Sequence, residues 1–171
     1  MFLRRVVVCL IFLGYLVGAN AKFADSVEEC PALKPRQAPP TNVRDLRPDD
    51  IRMIGALGDS VMAGFGAKGI QGYSLISLSS IYESRGLSFG GGDEPGVCTI
   101  PNLIKRYSPL VLGSSRGEHM VEYCGDRPKI DHLNAAQSGA IADNLDHELN
   151  YLLPGIETLC PFLLLTYIYQ P

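Results

Sequence analysis

The tetrapeptide Gly58-Asp59-Ser60-Val61 directly follows the apolar run IRMIGAL, Ile51–Leu57. A serine at the carboxyl end of a strand, leading through a turn into a helix, lies where open α/β sheets bind ligands. The N–H groups of the helix's first turn place a positive field there, and glycine at 58 permits a sharp turn and a close approach to a substrate. Ser60 is therefore a candidate nucleophile. The segment Asn134-Ala135-Ala136-Gln137-Ser138-Gly139-Ala140 repeats the arrangement: a strand pattern ends, a glycine follows and a helical pattern begins. The Gly139 N–H then points to the same sheet edge as Ser60. Two backbone donors from neighbouring strand ends suit the negative charge that develops on a carbonyl oxygen during acyl transfer. Each motif also has a structural reading. Asp59 or Ser60 can be a helix N-cap, and Ser138-Gly139 a tight turn that needs small residues.

Other matches are weaker. Gly113-Ser114-Ser115-Arg116-Gly117 fits the G-x-S-x-G elbow, but an elbow should run into a helix. Gly117 and Gly125-Asp126-Arg127-Pro128 interrupt one, so a polar loop is expected. Gly64-Phe65-Gly66-Ala67-Lys68-Gly69 fits G-x-G-x-x-G, yet begins six residues beyond the strand, where it cannot cradle a pyrophosphate as that fingerprint does. His132 and His147 each follow an aspartate, Asp131 and Asp146. Sequence neighbours point different ways on a helix or strand, so these are not dyads.

The elements that must position these residues alternate. Ile51–Leu57 reads as a buried strand, and Tyr73–Ser84 as a helix through Leu75, Ile76, Leu78 and Ile81. A glycine-rich loop covers Arg85 to Gly96. Thr99–Tyr107 suits a short helix with Pro101 in its first turn, where a missing N–H costs nothing. Lys129–Ala136 reads as a second strand. Ile141–Leu153 reads as a helix with Ile141, Leu145, Leu149 and Leu152 on one face, stopped by Pro154-Gly155. Phe162–Tyr169 is a third strand candidate. Strands alternating with helices imply a parallel sheet covered on both faces.

Composition narrows the class. The chain has 171 residues, 46% hydrophobic and 19% charged. It is too apolar for a solvated disordered chain and too sparsely charged for a coiled coil. A net charge of −3 without clustered Lys/Arg argues against nucleic acid as a partner. Arg4 and Arg5, the apolar run Val6–Ala19 and the small residues Ala19-Asn20-Ala21 form a signal-peptide pattern, 1–21, with cleavage expected after Ala21 and secretion as the consequence. The run is about 14 residues, short of the roughly 20 a membrane span needs. Residues 22–50 form a Pro-rich lead-in, and 51–171 the remaining domain. Cys30, Cys98, Cys124 and Cys160 would survive cleavage, and a secreted chain with four cysteines is expected to form disulfides in one of three pairings. No C-x-x-C or Cys/His pair has zinc-ligand spacing, so no metal and no cofactor is expected.

Several motifs taken together resemble a family. GDSV after IGAL, the flanking MAGFGA, YESRGLSFGGG, TIPNLIKRYSP and LNAAQSGAIADNL are similar to the GDSL (SGNH) lipases and acylhydrolases, and more narrowly to their phospholipase B branch. The lead-in CPALKPRQAPPTNVRDLRPDDI is similar to that branch too. The resemblance spans roughly Cys30 to Leu153. It implies a three-layer doubly wound parallel sheet of SGNH-hydrolase (flavodoxin-like) type. It implies a secreted serine ester hydrolase acting on phospholipids or other acyl esters, with transient contact to a membrane surface. Ser60 would be the nucleophile, and the Ser60 and Gly139 backbone N–H groups the oxyanion donors.

The sequence departs from the family pattern in two places. Members complete the hole with an asparagine in a Gly-x-Asn-Asp-like motif after the third strand, and the triad with Asp-x-x-His. Here the third strand candidate runs into Gln170-Pro171. His119, His132 and His147 are preceded three residues earlier by Arg116, Lys129 and Asn144. The domain is thus expected to be truncated after its third strand, since about 120 residues accommodate roughly half of a sheet built from units of about 30 or more. Weak or no hydrolysis is expected, because serine needs an adjacent base. The alternatives are a non-catalytic secreted lipid- or acyl-binding protein and a fragment without function.

Overall fold

The computed structural model describes residues 25–69, 81–121 and 127–159. The predicted leader 1–21, most of the helix predicted over Tyr73–Ser84 and the strand candidate Phe162–Tyr169 lie outside these residues. The chain divides into two units, Met1–Cys30 and Pro31–Pro171. The described part of the first is one 3-10 turn, Val27–Glu29.

In the second unit the lead-in is largely exposed and carries the 3-10 turns Val43–Asp45 and Pro48–Asp50. Arg36 fastens the two turns together, donating to the Asp50 carboxylate at 3.0 Å and to that of Asp45 at 3.2 Å. The run Ile51–Leu57 then pairs in parallel with two segments in turn. Ile54 N–H donates to the Leu112 carbonyl at 2.9 Å and Leu112 N–H to that of Arg52 at 3.0 Å. Further on, Ala56 N–H donates to the Leu133 carbonyl at 3.0 Å and Ala135 N–H to that of Ala56 at 2.8 Å. Residues 52, 54 and 56 present their backbone groups to one edge, so both partners lie on that edge. The pairing passes from one to the other, aided by Leu133 N–H on the Gly113 carbonyl at 2.9 Å. No partner stays for two consecutive bridges. The predicted strands therefore appear as isolated parallel bridges at Met53–Leu112 and Ala56–Asn134, with another at Gly92–Ser115.

The regular sheet among the described residues is an antiparallel pair, β1 (Tyr82–Glu83) and β2 (His119–Met120), in register Tyr82 to Met120 and Glu83 to His119. This corrects the helix predicted as far as Ser84. Its last residues are drawn into strand pairing on two sides, with Phe65 bridging Glu83 and Gly66 N–H donating to the Tyr82 carbonyl at 3.0 Å. The glycine-rich loop beyond is interior: Arg85, Gly86, Ser88 and Gly91 to Asp93 are buried.

The helices are short. Ser60–Ala63 forms α1 and Ile100–Lys105 forms α2, the latter begun by Thr99, whose hydroxyl accepts from Asn102 N–H at 3.3 Å, with Pro101 in the first turn as expected. Arg127–Asp131 forms α3, which corrects the strand predicted from Lys129. The pair Arg127–Asp131, 2.8 Å apart at i,i+4, closes this turn of helix. His132 then takes φ 48° and leads the chain into its pairing with Ala56. After a 3-10 turn at Ala142–Asn144, α4 runs from Leu145 to Leu159. Pro154-Gly155 lies inside α4, not at its end. The Thr158 hydroxyl bonds back one turn to the Pro154 carbonyl at 2.9 Å, leaving the missing N–H of Pro154 uncompensated. The apolar core is Leu133, Ala135 and Leu152, with Met53, Leu57, Tyr151 and Ile156 packed against it.

Candidate active site

Ser60 opens α1 directly after the paired run 51–57, and it is partly exposed. Asp59 is the N-cap, its carboxylate accepting from Val61 N–H at 2.9 Å. The capping reading and the strand-to-helix turn are thus one structure: capping holds the turn that presents Ser60. Gly58 sits at φ 144°, and a Cβ there would meet the Met62 Cβ at 3.0 Å.

Gln137, Ser138, Gly139 and Ala140 form a turn closed by Ala140 N–H on the Gln137 carbonyl at 3.2 Å. Gly139, at φ 85°, is its third residue, the place where a type II turn needs a positive φ. Gln137 N–H donates to the Gly58 carbonyl at 3.0 Å, which joins the Ser60 turn to the Gly139 turn. The two sequence motifs, 79 residues apart, are brought together by the backbone. Among the described residues neither the Ser60 nor the Gly139 N–H has an acceptor. First-turn N–H groups such as that of Ser60 have no partner within their own helix.

A cleft of about 540 Å³ adjoins the two turns; Asp59, Val61, Met62, Phe89, Ala140, Ile141, Leu145 and Glu148 line it, whereas Ser60 and Gly139 themselves do not. Val61 and Ile141 are 67% and 66% exposed. Ile141 and Leu145, predicted to share one helix face with Leu149 and Leu152, line the cleft. Of that predicted face only Leu152 is buried, and Glu148 is buried beside it. A second cleft of about 620 Å³, along α4 at Leu133, Tyr151 and Pro154, shares none of these residues.

Among the described residues none of the three histidines is hydrogen-bonded to Ser60. His119 is buried and both ring nitrogens are occupied, Nδ1 by the Met120 carbonyl at 2.8 Å and Nε2 by Asp131 at 2.9 Å. His132 is exposed with Nε2 on the Lys129 carbonyl at 3.0 Å, and His147 is exposed on α4. Asp131 and His132 do not form a dyad. The partner of Asp131 is His119, twelve residues upstream, a pairing that no local spacing signals. Asp131 also accepts from Arg85 Nε at 2.7 Å and Nη2 at 3.0 Å. The Asp131 hydrogen bond holds the His119 imidazole above its ordinary pKa against the effect of burial. Burial alone would raise the Asp131 carboxyl, but the hydrogen bonds from His119 and Arg85 bring it below its usual range.

The G-x-S-x-G match is not an exposed elbow. Ser115 is buried and donates to the Arg85 carbonyl at 2.9 Å, and Ser114 donates to Asp93 at 2.8 Å. The segment is irregular, as expected of a polar loop, but its serines are interior and Ser115 bridges Gly92. Among the described residues no cluster of His, Cys, Asp or Glu could hold a metal ion. Cys30 and Cys98 are described, Cys98 being exposed, while Cys124 and Cys160 lie outside the described residues. No helix among the described residues is long and apolar enough to cross a membrane.

Reasoning from sequence missed Glu83 and Glu148, both 1% exposed. Glu148 falls three residues after Leu145 and four before Leu152, so it sits on the inward side of a helix where an acid is out of place. That spacing was the available signal. Glu83 carried none, since its burial depends on pairing with segments distant in sequence.

No protein-family model matches the chain, and no solved structure matches it. The chain is homologous to phospholipase B1. It is 38% identical over 133 residues to "Phospholipase B1, membrane-associated" of Mus musculus, covering 75% of this chain and 8% of that protein. The like-named protein of Rattus norvegicus is 37% identical over 145 residues, covering 83% and 9%. That of Homo sapiens is 43% identical over 119 residues, covering 68% and 8%. The chain therefore spans less than a tenth of the length of these relatives.

Proposed function

We propose, from the homology to phospholipase B1, that this chain carries the nucleophile side of a serine lipid-ester hydrolase site of the GDSL (SGNH) kind. The observation that carries the reading is the hydrogen bond from Gln137 N–H to the Gly58 carbonyl, 3.0 Å, which sets the Ser60 and Gly139 turns side by side. Ser60 Oγ would attack the ester carbonyl. The Ser60 and Gly139 N–H groups would donate to the oxygen that becomes negative. The adjoining cleft, lined by Val61, Met62, Ile141 and Leu145, suits the acyl portion of the ester. The parallel bridges on either turn's approach support an α/β sheet of the doubly wound type. Entry to the secretory route through the 1–21 leader, with disulfides among Cys30, Cys98, Cys124 and Cys160, belongs to the same reading.

The activity of these 171 residues is weak on this reading. No described histidine reaches Ser60, and the chain contains no Asp-x-x-His. A serine hydroxyl without a base is a poor nucleophile, and each oxyanion donor that is lacking costs about 10²–10³ in rate. Hydrolysis of a short-chain p-nitrophenyl ester tests this. The expected result is turnover barely above background, lost in Ser60→Ala. Vigorous turnover lost in Ser60→Ala would overturn the weakness, and turnover that survives Ser60→Ala would overturn Ser60 as nucleophile. The exposed apolar walls also favour a second reading, a binder of acyl chains without catalysis. Displacement of a fluorescent fatty acid with no labelling of Ser60 by a fluorophosphonate would select it.

A further inference from the structure

Each of the two turns is held from behind by a buried glutamate that belongs to neither motif. Glu148 reaches from α4, and its Oε2 accepts from Gly58 N–H at 2.8 Å. Glu83 reaches from β1, and its Oε1 accepts from the N–H of Ser138 at 3.0 Å and from its hydroxyl at 2.6 Å. Gly58 stands two residues before Ser60, and Ser138 one before Gly139. Gly58 therefore donates to Glu148 while it accepts from Gln137, so carboxylate, first turn, second turn and carboxylate form one chain of bonds. The other oxygen of Glu83 faces Arg85 Nε at 3.4 Å and His119 Nε2 at 3.7 Å. Arg85 in turn donates to the Ala136 carbonyl at 2.8 Å, on the same stretch as Ser138.

The other buried carboxylates, Asp93 and Asp131, face side-chain donors. Glu83 and Glu148 are distinguished by taking backbone N–H groups of the two turns. Gly58 and Gly139 are the joints at which these turns could swing, and oxyanion donors act only when their geometry is set in advance.

We propose that Glu83 and Glu148 are positioning residues that fix the spacing of the Ser60 and Gly139 N–H groups. The proposal rests on the hydrolase reading above. Its test uses the full chain and the variants Glu148→Ala, Glu148→Gln and Glu83→Ala. Amide hydrogen exchange is followed at Gly58 and Ser138, with Leu103 and Tyr107 as distant references, alongside the rate at which a fluorophosphonate labels Ser60.

Alanine at 148 or 83 is expected to speed exchange at Gly58 or Ser138 respectively by about tenfold or more, with the references unchanged. Labelling should slow by about tenfold or more. Glu148→Gln keeps an acceptor and should restore both readouts, which a role of charge alone would not. Unchanged exchange overturns the clamps, and faster exchange with unchanged labelling overturns their effect on the site. An unaltered chain that never labels overturns the hydrolase reading and the positioning role with it. Where an alanine variant does not fold, the aspartate variant, one methylene shorter with its charge kept, carries the same comparison.

Discussion

His119 and Asp131 show how burial changes what a residue can do. In sequence, His119 is one of three unremarkable histidines; in the fold it is 5% exposed and lies between Asp131, Glu83 and Arg85. Buried charges persist only when paired and hydrogen-bonded, and here two acids face two cations, with Arg127 adding a third contact to Asp131 at 2.8 Å. The raised His119 pKa ties this cluster to pH. A group whose pKa is higher in the folded state contributes stability that is complete below its unfolded value and is lost as pH rises through the folded one. Asp131, lowered, acts in the opposite sense: its contribution is present above the ordinary carboxylate range and is lost on acidification. The melting temperature should therefore fall as pH is raised from about 6.5. His119→Gln should lower it overall and flatten that alkaline decline. A decline of the same steepness in the variant would assign it to another group.

At the scale of elements, α4 is the instructive case. Its apolar spacing was legible from Leu145 onward, but both bounds were misplaced: Ile141 caps a 3-10 turn ahead of the helix, and proline followed by glycine, which ordinarily stops a helix, does not end it. The helix continues because Gly155 lets it lie against Leu133, whose Cδ2 is 2.7 Å from where a Cβ at 155 would stand. Tertiary packing thus outweighs the loss of one N–H at Pro154. Pro154 is exposed, so Pro154→Ala should recover that bond and stabilise the chain by about 1–3 kcal/mol in urea unfolding. A destabilised variant would mean that the ring itself packs usefully. The end of the helix predicted to Ser84 failed for a related reason. Tyr82 and Glu83 are short of local signals, and their partners Phe65, Gly66, His119 and Met120 come from elsewhere in the chain. The short helix at Ile100–Lys105 was legible because its determinants, Thr99 and Pro101, are local.

For the whole molecule, the interior is more polar than the composition suggests. Among the described residues buried polar and charged side chains outnumber buried apolar ones, and most of the latter are alanines. Arg85, Asp131, Glu83, Asn134 and Ser115 knit the centre by hydrogen bonds, while large apolar burial is concentrated at Leu133 and Leu152. Leu133→Ala should cost about 2–5 kcal/mol. Against a total stability of about 5–15 kcal/mol for a folded domain, that is enough to broaden or abolish a cooperative thermal transition, which calorimetry would read. A loss under about 1 kcal/mol would show that the core there collapses without penalty.

The sequence by itself determined the two motifs, their order and their kinship with phospholipase B, because a glycine that must turn and a serine that must be presented are specified within a few residues. It also shows that none of the three histidines in these 171 residues belongs to an Asp-x-x-His motif. Only the tertiary structure decided that the Ser60 and Gly139 turns meet and that Ile141 and Leu145 wall a cleft. It alone decided that His119 is spent on Asp131, and that two glutamates stand behind the turns. Those outcomes depend on contacts between residues tens of positions apart, and neither spacing nor propensity encodes such contacts locally.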